Sequence, residues 1–504
     1  MDMLQQLTAL RTKAYLIVIF LVIIVNSSIN LTAFPEYFWD EGVYVGRAVS
    51  FLKTFQVYQN PHYIDHPPFG WIVPSLFFSA IGFPDSITHS TSSIESQILL
   101  LILIPRLIDV VYLVLISFLV YKISSKLYNK ESSIFSLATL ALIPALWPFR
   151  EFLLDPLMIL FVLSSVFFIV SKEKKDKSHY LVISGALFGF AVLTKFTAVF
   201  FLPAIAFFFI WNKTSVIDQS KSQQNNIVFT IWWITPVIIL CAVWLYVLNL
   251  QHNLNYLIST QLWQIERTSN LPYGTIFQIL FTVCPVGFVF GVAGIVKSLK
   301  NKNWMPSLLS LPYLGFLLRG GFVGFVHTIP ILPIFCIHSG KILADISKKI
   351  SVRTTADSKK VANLMLVSFL VSSIVITLWI TSFDATISQV QAMQYLINKL
   401  PKDSFLVTNA GYSWIITQYR PDIQVSDFFS LNFMKKLPNQ TYIAESTPPI
   451  ERDASLRQSQ TIYEKSCIIE KFENTPKIFH PYMATSDKPW NVVIRHFDAK
   501  STNC

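Results

Sequence analysis

Charge is what this chain lacks. Of its 504 residues only 14% are Asp, Glu, Lys or Arg, against 53% hydrophobic, whereas a soluble protein carries roughly 25% charged residues. An ordinary soluble enzyme is excluded. Cysteine is also scarce: 5 residues are too few for a disulfide scaffold. Cys241, Cys284 and Cys336 fall in apolar runs, where a small apolar residue is the plain reading. Cys467 and Cys504 fall in the more polar tail and can pair there if it faces outside the cell. There is no glycine-rich phosphate loop, CxxC pair, HExxH box, internal repeat or low-complexity tract. The net charge of +11 does not mark a nucleic-acid patch, because residues 384–504 hold 13 Lys/Arg against 12 Asp/Glu and are nearly neutral.

What the chain has instead is apolar runs of about 16–24 residues, the length a helix needs to cross a bilayer. They fall near 14–33, 98–120, 132–148, 153–170, 180–194, 196–211, 227–250, 276–296, 304–318, 322–340 and 361–382. This reads as a polytopic α-helical membrane protein of about 11 spans, since helices satisfy their own backbone polar groups in lipid. The first run lacks a small-residue cleavage site and reads as a retained anchor. With the N-terminus in the cytoplasm, 20 basic residues of the membrane part fall on the cytoplasmic side and 7 outside, a positive-inside pattern. The odd span count then puts the tail outside.

Two domains are expected: a membrane catalytic domain over 1–383, including a first outer loop at 34–97, and an extracytoplasmic α/β domain over 384–504. In the outer loop, Glu41–Phe55 has the apolar spacing of an amphipathic helix lying on the membrane, and Trp71–Ile81 suits a second. In the tail, alternation predicts strands at Phe405–Thr408, Ile423–Ser426, Tyr442–Glu445, Cys467–Glu470 and Val492–His496, with a helix at Ile387–Leu400.

Candidate chemistry clusters on the outer side. Asp40 and Glu41 follow the first span, and a carboxylate there can take a proton from a hydroxyl as it attacks a sugar carbon. The same two acids also suit a helix N-terminus. Asp155 opens the fourth span on that side, and an acid inside a membrane segment points to function. Asp65 and His66 lie on the first loop; with Asp40 and Glu41 they offer four ligands for a divalent cation, although the spacing fits no fixed metal motif. They also suit substrate binding, with His66 able to hydrogen-bond a substrate phosphate or simply a backbone carbonyl. Lys195 runs against the positive-inside bias and suits a lipid-linked phosphate, or simply snorkels. Arg319 and His327 near the late spans carry the same ambiguity, with Gly320-Gly321 allowing close backbone approach.

Asp40-Glu41 after the first span, the His66-Pro67-Pro68-Phe69-Gly70 box, Asp155, Gly185…Gly189…Thr194-Lys195, and Pro330-Ile331-Leu332-Pro333 after His327 occur in an order that resembles the GT-C glycosyltransferases. The branch is the protein O-mannosyltransferase group (glycosyltransferase family 39) with its bacterial aminoarabinose-transferase relatives, over about residues 10–340. The resemblance implies a polyprenyl-phosphate-sugar donor, an active site under the first loop, inversion at the anomeric carbon, and a protein or glycolipid hydroxyl acceptor. By matching position it implies Asp40 as base, Asp155 as a second acid and Lys195 on the donor phosphate. The tail looks like the small outer domain of prokaryotic members. Asp40, Asp155 and Lys195 should then converge, with the carboxylates within roughly 10 Å. The reading from another class is a transporter or lipid flippase using the same charges for coupling, but no repeat supports it.

Overall fold

The computed structural model describes residues 3–58, 64–171, 178–211, 219–266, 274–302, 304–319, 324–355, 357–427, 438, 440–446, 465–474 and 491–497. The elements run α1 (Met3–Ser28), α2 (Trp39–Thr54), α3 (Phe69–Ile81), α4 (Asp85–Thr88), α5 (Ile94–Leu127), α6 (Lys130–Ala141), α7 (Leu154–Val170), α8 (Ser178–Thr194) and α9 (Leu202–Trp211). They continue with α10 (Gln219–Leu250), α11 (Leu254–Glu266), α12 (Gly274–Val283), α13 (Pro285–Lys300), α14 (Trp304–Leu318), α15 (Leu332–Thr354) and α16 (Ser358–Ile380). Short 3-10 segments at Pro144–Phe149, Phe196–Phe201 and Phe325–Ile331 lead out of α6 and into α9 and α15.

Polar residues set several boundaries. Ser93 caps α5 by accepting from the Ser96 amide, and Asn129 caps α6 by accepting from the Ser132 amide. Pro285 opens α13, where its missing N–H costs nothing, and α12 and α13 meet there at 116°. Four helices among the described residues, Ile94–Leu127, Thr230–Leu250, Phe325–Thr354 and Ser358–Ile380, are long and apolar enough to cross a membrane; the bent α12–α13 pair adds a fifth as one broken span. Other expected crossings, such as Leu154–Val170 and Trp304–Leu318, are shorter apolar helices. Helix length thus gives the architecture, not the count of 11.

After α16 the chain forms a small α/β unit. Helix α17 (Ile387–Lys399) precedes β1 (Phe405–Thr408), α18 (Ala410–Tyr419), β2 (Gln424–Ser426), β3 (Thr441–Ser446), β4 (Cys467–Phe472) and β5 (Val492–Phe497). The sheet order is β2-β1-β3-β5-β4. β1 pairs in parallel with β2 and β3, while β5 runs antiparallel to β3 and β4. All five strands and α17 lie where alternation put them. Cys467 is disulfide-bonded; Cys504 lies outside the described residues.

The apolar core runs from the bundle into this unit through Tyr37, Phe83 and Trp414. That continuity corrects the expectation for α2. Val45, Ala48 and Val49 are buried by protein rather than turned to lipid, and only Phe55, 78% exposed, keeps the expected character. Helix α3 fits better, with Leu76, Phe77 and Ile81 exposed along it.

Candidate active site

Helix α2 organises the site because its three faces do different work. With 3.6 residues per turn, positions 40, 44 and 47 share one face, 41, 45 and 48 another, and 42 and 46 a third. The first face meets the outer-loop box. Arg47 Nη1 pairs with Asp65 Oδ1 at 2.7 Å, and its guanidinium lies 4.9 Å from the Trp71 ring centroid. Tyr44 stands 6.1 Å from the His66 ring. The loop is held from outside as well: Gln261 Nε2 donates to the Asp65 carbonyl at 2.8 Å, and Tyr58 Oη donates to the His66 carbonyl at 3.1 Å.

Asp155 and Lys195 come from different helices to the same place. Lys195 follows the last turn of α8, and its Nζ donates to Asp155 Oδ2 at 2.7 Å with both side chains buried. Asp155 Oδ1 has no hydrogen-bond partner among the described residues. The box seats against both elements at Gly70, where an added Cβ would lie 2.4 Å from Leu154 and 3.4 Å from Thr194.

Asp40 lies within electrostatic reach of Lys195, Asp65, Asp155 and Arg47. Burial pushes its carboxyl up to about 6; Lys195 and Arg47 pull it down while Asp65 and Asp155 push it further up. No hydrogen bond or ion pair ties the Asp40 carboxylate among the described residues, so it is placed to accept a proton. Burial also acts to raise Asp65, but Arg47 and His66 outweigh it and hold that carboxyl below its usual range. Burial drives His66 down to about 4, reinforced by Lys195 and Arg47 against the pull of Asp65. His66 is thus a neutral imidazole at neutral pH.

Glu41 does not join them, which corrects its expected catalytic and metal-binding roles. One residue further round the helix, it points into the bundle, fully buried. Arg106 Nε donates to Oε2 at 2.9 Å and Nη2 to Oε1 at 2.7 Å. The Phe38 and Phe152 amides donate to the same two oxygens, each at 3.0 Å. The contact from Phe38 is the return half of a helix-capping arrangement. With Glu41 committed to Arg106 and Asp65 to Arg47, the proposed ligands do not assemble a cation site. No group of three or more His, Cys, Asp or Glu side chains converges among the described residues.

Arg106 and Arg150, two of the seven basic residues that the sequence places on the outer side, are buried staples. Arg106 also donates to the carbonyls of Leu31, Pro35 and Glu36. Arg150 donates to the carbonyls of Asn26, Ile29 and Phe34, two of them orphan acceptors at the end of α1. Asp109, also missed, accepts the Leu153 amide at 3.1 Å. Glu41 and Asp109 therefore hold the two residues that lead into α7, just before Asp155.

Arg319 and His327 gather around Phe316, next to Tyr313, whose hydroxyl donates to the His327 carbonyl at 3.0 Å. The Arg319 guanidinium lies 4.8 Å from that ring, and the His327 ring lies 6.2 Å from it. His327 Nδ1 accepts the Gly324 amide at 3.1 Å. Gly320-Gly321 lies outside the described residues. Gly185 and Gly189 serve packing: a Cβ on Gly185 would lie 2.0 Å from the Trp233 carbonyl oxygen, and one on Gly189 2.8 Å from Leu240, so these glycines let α10 approach α8.

The profile of the family described as dolichyl-phosphate-mannose-protein mannosyltransferase matches residues 102–244. The fold matches ArnT from Cupriavidus metallidurans bound to undecaprenyl phosphate with a TM-score of 0.62, over 97% of this chain and 98% of that one at 11% identity. The oligosaccharyltransferase AglB from Archaeoglobus fulgidus, in complex with an inhibitory peptide and a dolichol-phosphate, matches with a TM-score of 0.55 at 13% identity, over 81% of this chain and 63% of that one. An oligosaccharyltransferase from Archaeoglobus fulgidus in complex with Zn and sulfate matches with a TM-score of 0.55 at 14% identity, over 86% of this chain and 68% of that one. No curated protein matches the chain by sequence. The chain thus shares its fold with ArnT and AglB, and the mannosyltransferase profile matches residues 102–244, in line with the resemblance carried by the motifs.

Proposed function

We propose, from the GT-C fold as premise, that the chain is an integral-membrane inverting glycosyltransferase. It moves a single sugar from a polyprenyl-phosphate donor to a hydroxyl acceptor at the outer membrane face. The membrane part, residues 1–383, carries catalysis, and residues 384–504 form an extracytoplasmic α/β domain; the disulfide-bonded Cys467 favours that location. The observation that carries the reading is the buried Asp155–Lys195 pair, 2.7 Å apart, in the field of an untied Asp40.

The reaction needs little more than these groups. The acceptor oxygen attacks the anomeric carbon while Asp40 takes its proton. The bond from that carbon to the phosphate oxygen breaks, and the electron pair leaves with the phosphate. The growing negative charge is stabilised by Lys195, whose ammonium Asp155 holds in place. A carboxyl near 6 is ionised at neutral pH yet basic enough to accept a proton. ArnT was captured with undecaprenyl phosphate and AglB with a dolichol-phosphate and a peptide, which supports the donor class and admits a protein acceptor.

The test is transfer of a labelled sugar from a synthetic polyprenyl phosphate by the purified chain in lipid vesicles. Lys195→Ala should raise the donor KM first and lower kcat as well, because it removes a charge that meets the phosphate before and during bond breaking. No transfer from any polyprenyl-phosphate sugar by the folded parent would overturn the reading.

A further inference from the structure

The third face of α2 is covered by the C-terminal unit. An ideal Cβ on Gly42 would lie 2.2 Å from Gly411 Cα and 2.5 Å from the Ala410 carbonyl oxygen. Two backbones therefore touch where α18 crosses α2, two residues from Asp40. Four positions on, a Cβ on Gly46 would lie 3.3 Å from Trp414 Cβ. Trp414 Nε1 donates to Tyr37 Oη at 2.7 Å. Gln389 on α17 clamps the Tyr37 backbone from both sides, accepting its N–H at 2.7 Å and donating to its carbonyl at 3.1 Å. The residue that leads into α2 and the first turns of α2 are thus fixed from outside the bundle.

We infer that Gly411, Trp414 and Gln389 are positioning residues, through which the C-terminal unit presses α2 inward and keeps Asp40 aligned with the Asp155–Lys195 pair. Gly42 and Asp40 are two residues apart on a helix and so face nearly opposite ways. A contact at Gly42 acts along the line that seats Asp40. Only glycine at position 42 allows this approach, since a Cβ there would lie 2.2–2.5 Å from the α18 backbone, whereas one on Gly411 would lie 3.0–3.2 Å from the Asn409 and Tyr37 side chains. A methyl group at Gly42 must therefore shift one helix by about 1 Å, and misplacement on that scale costs on the order of 100-fold in rate.

The proposal rests on the glycosyltransferase reading, so its test has one measurement that does not. Gly42→Ala and Trp414→Phe are made in the full chain and studied in lipid nanodiscs. Hydrogen–deuterium exchange over residues 39–54 reports docking alone, and both variants should exchange faster there than the parent. Transfer kinetics report alignment. Gly42→Ala should lose about 10- to 100-fold in kcat with the donor KM within about twofold, and Trp414→Phe should lose less. The acid limb of the pH–rate profile should also move, because Asp40 would leave the field of Lys195, Asp65, Asp155 and Arg47. A smaller folded fraction would scale every rate but leave that limb in place. Unchanged exchange in both variants would overturn the docking. Faster exchange with parental kcat and an unmoved acid limb would overturn the positioning. A parent silent in transfer would overturn the preceding functional reading, while the exchange still decides whether α18 holds α2.

Discussion

Replacing Glu41 by Gln separates a structural role from a chemical one. Glu41 accepts four hydrogen bonds, two from Arg106 and one each from the Phe38 and Phe152 amides. A glutamine keeps the shape but has one acceptor oxygen and turns an NH2 toward donors. It also leaves the Arg106 guanidinium buried with only carbonyl partners. Breaking a buried pair from one side costs about 3–5 kcal/mol, a large part of a total stability of about 5–15 kcal/mol. Thermal unfolding in detergent, followed by tryptophan fluorescence, should therefore show a midpoint several degrees lower. Transfer should fall as well, since the Phe152 amide lies three residues before Asp155. The double variant Glu41→Gln with Arg106→Met removes both charges and should regain part of the loss, a coupling above about 1 kcal/mol. Parental stability in Glu41→Gln with kcat down 100-fold would refute this account and return Glu41 to the chemistry.

Other consequences can be checked with the same material. With Asp40 raised from 3.8 to about 6, the folded chain holds this proton up to a higher pH than the unfolded chain does. The value of kcat/KM should fall tenfold per unit below about pH 6 and level off above it; a profile flat down to pH 4 would exclude Asp40 as the base. The same sign means that ionising Asp40 destabilises the fold progressively as pH rises from 3.8 to about 6. Asp40→Asn should accordingly be at least as stable as the parent at pH 7. Exhaustive chelation should leave transfer intact, because the four proposed ligands do not converge; loss restored by one added divalent cation would contradict that geometry. A cysteine replacing the exposed Lys402 should react with an impermeant maleimide in intact cells, and labelling only after lysis would reverse the topology.

Local pattern made much of this molecule legible. Period-two alternation placed all five strands, and apolar spacing placed α17, because both depend on near neighbours. The order of acids, box and lysine pointed to the candidate site because each lies near the end of an apolar run. What the sequence could not divide was Asp40 from Glu41. Adjacent acids at a helix start differ by 100° of phase, and only the position of Arg106, 65 residues on, shows which one turns inward. Arg47 was within reach of inference, since it shares a face with Asp40 and Tyr44. The apolar stripe of α2 suggested lipid because nothing local says that protein will bury Val45, Ala48 and Val49. Arg106 and Arg150 looked like topology signals because their carbonyl partners sit at the distant end of α1 and in the chain beyond it.

The most direct test of the central claim is single-turnover transfer by Asp40→Asn in vesicles, with donor binding measured on the same preparation. Asparagine keeps the size and can hydrogen-bond, but it cannot take the acceptor's proton. The account predicts donor affinity close to parental and a chemical step slowed by about 100-fold or more. A parental rate of transfer in a correctly folded Asp40→Asn would contradict it.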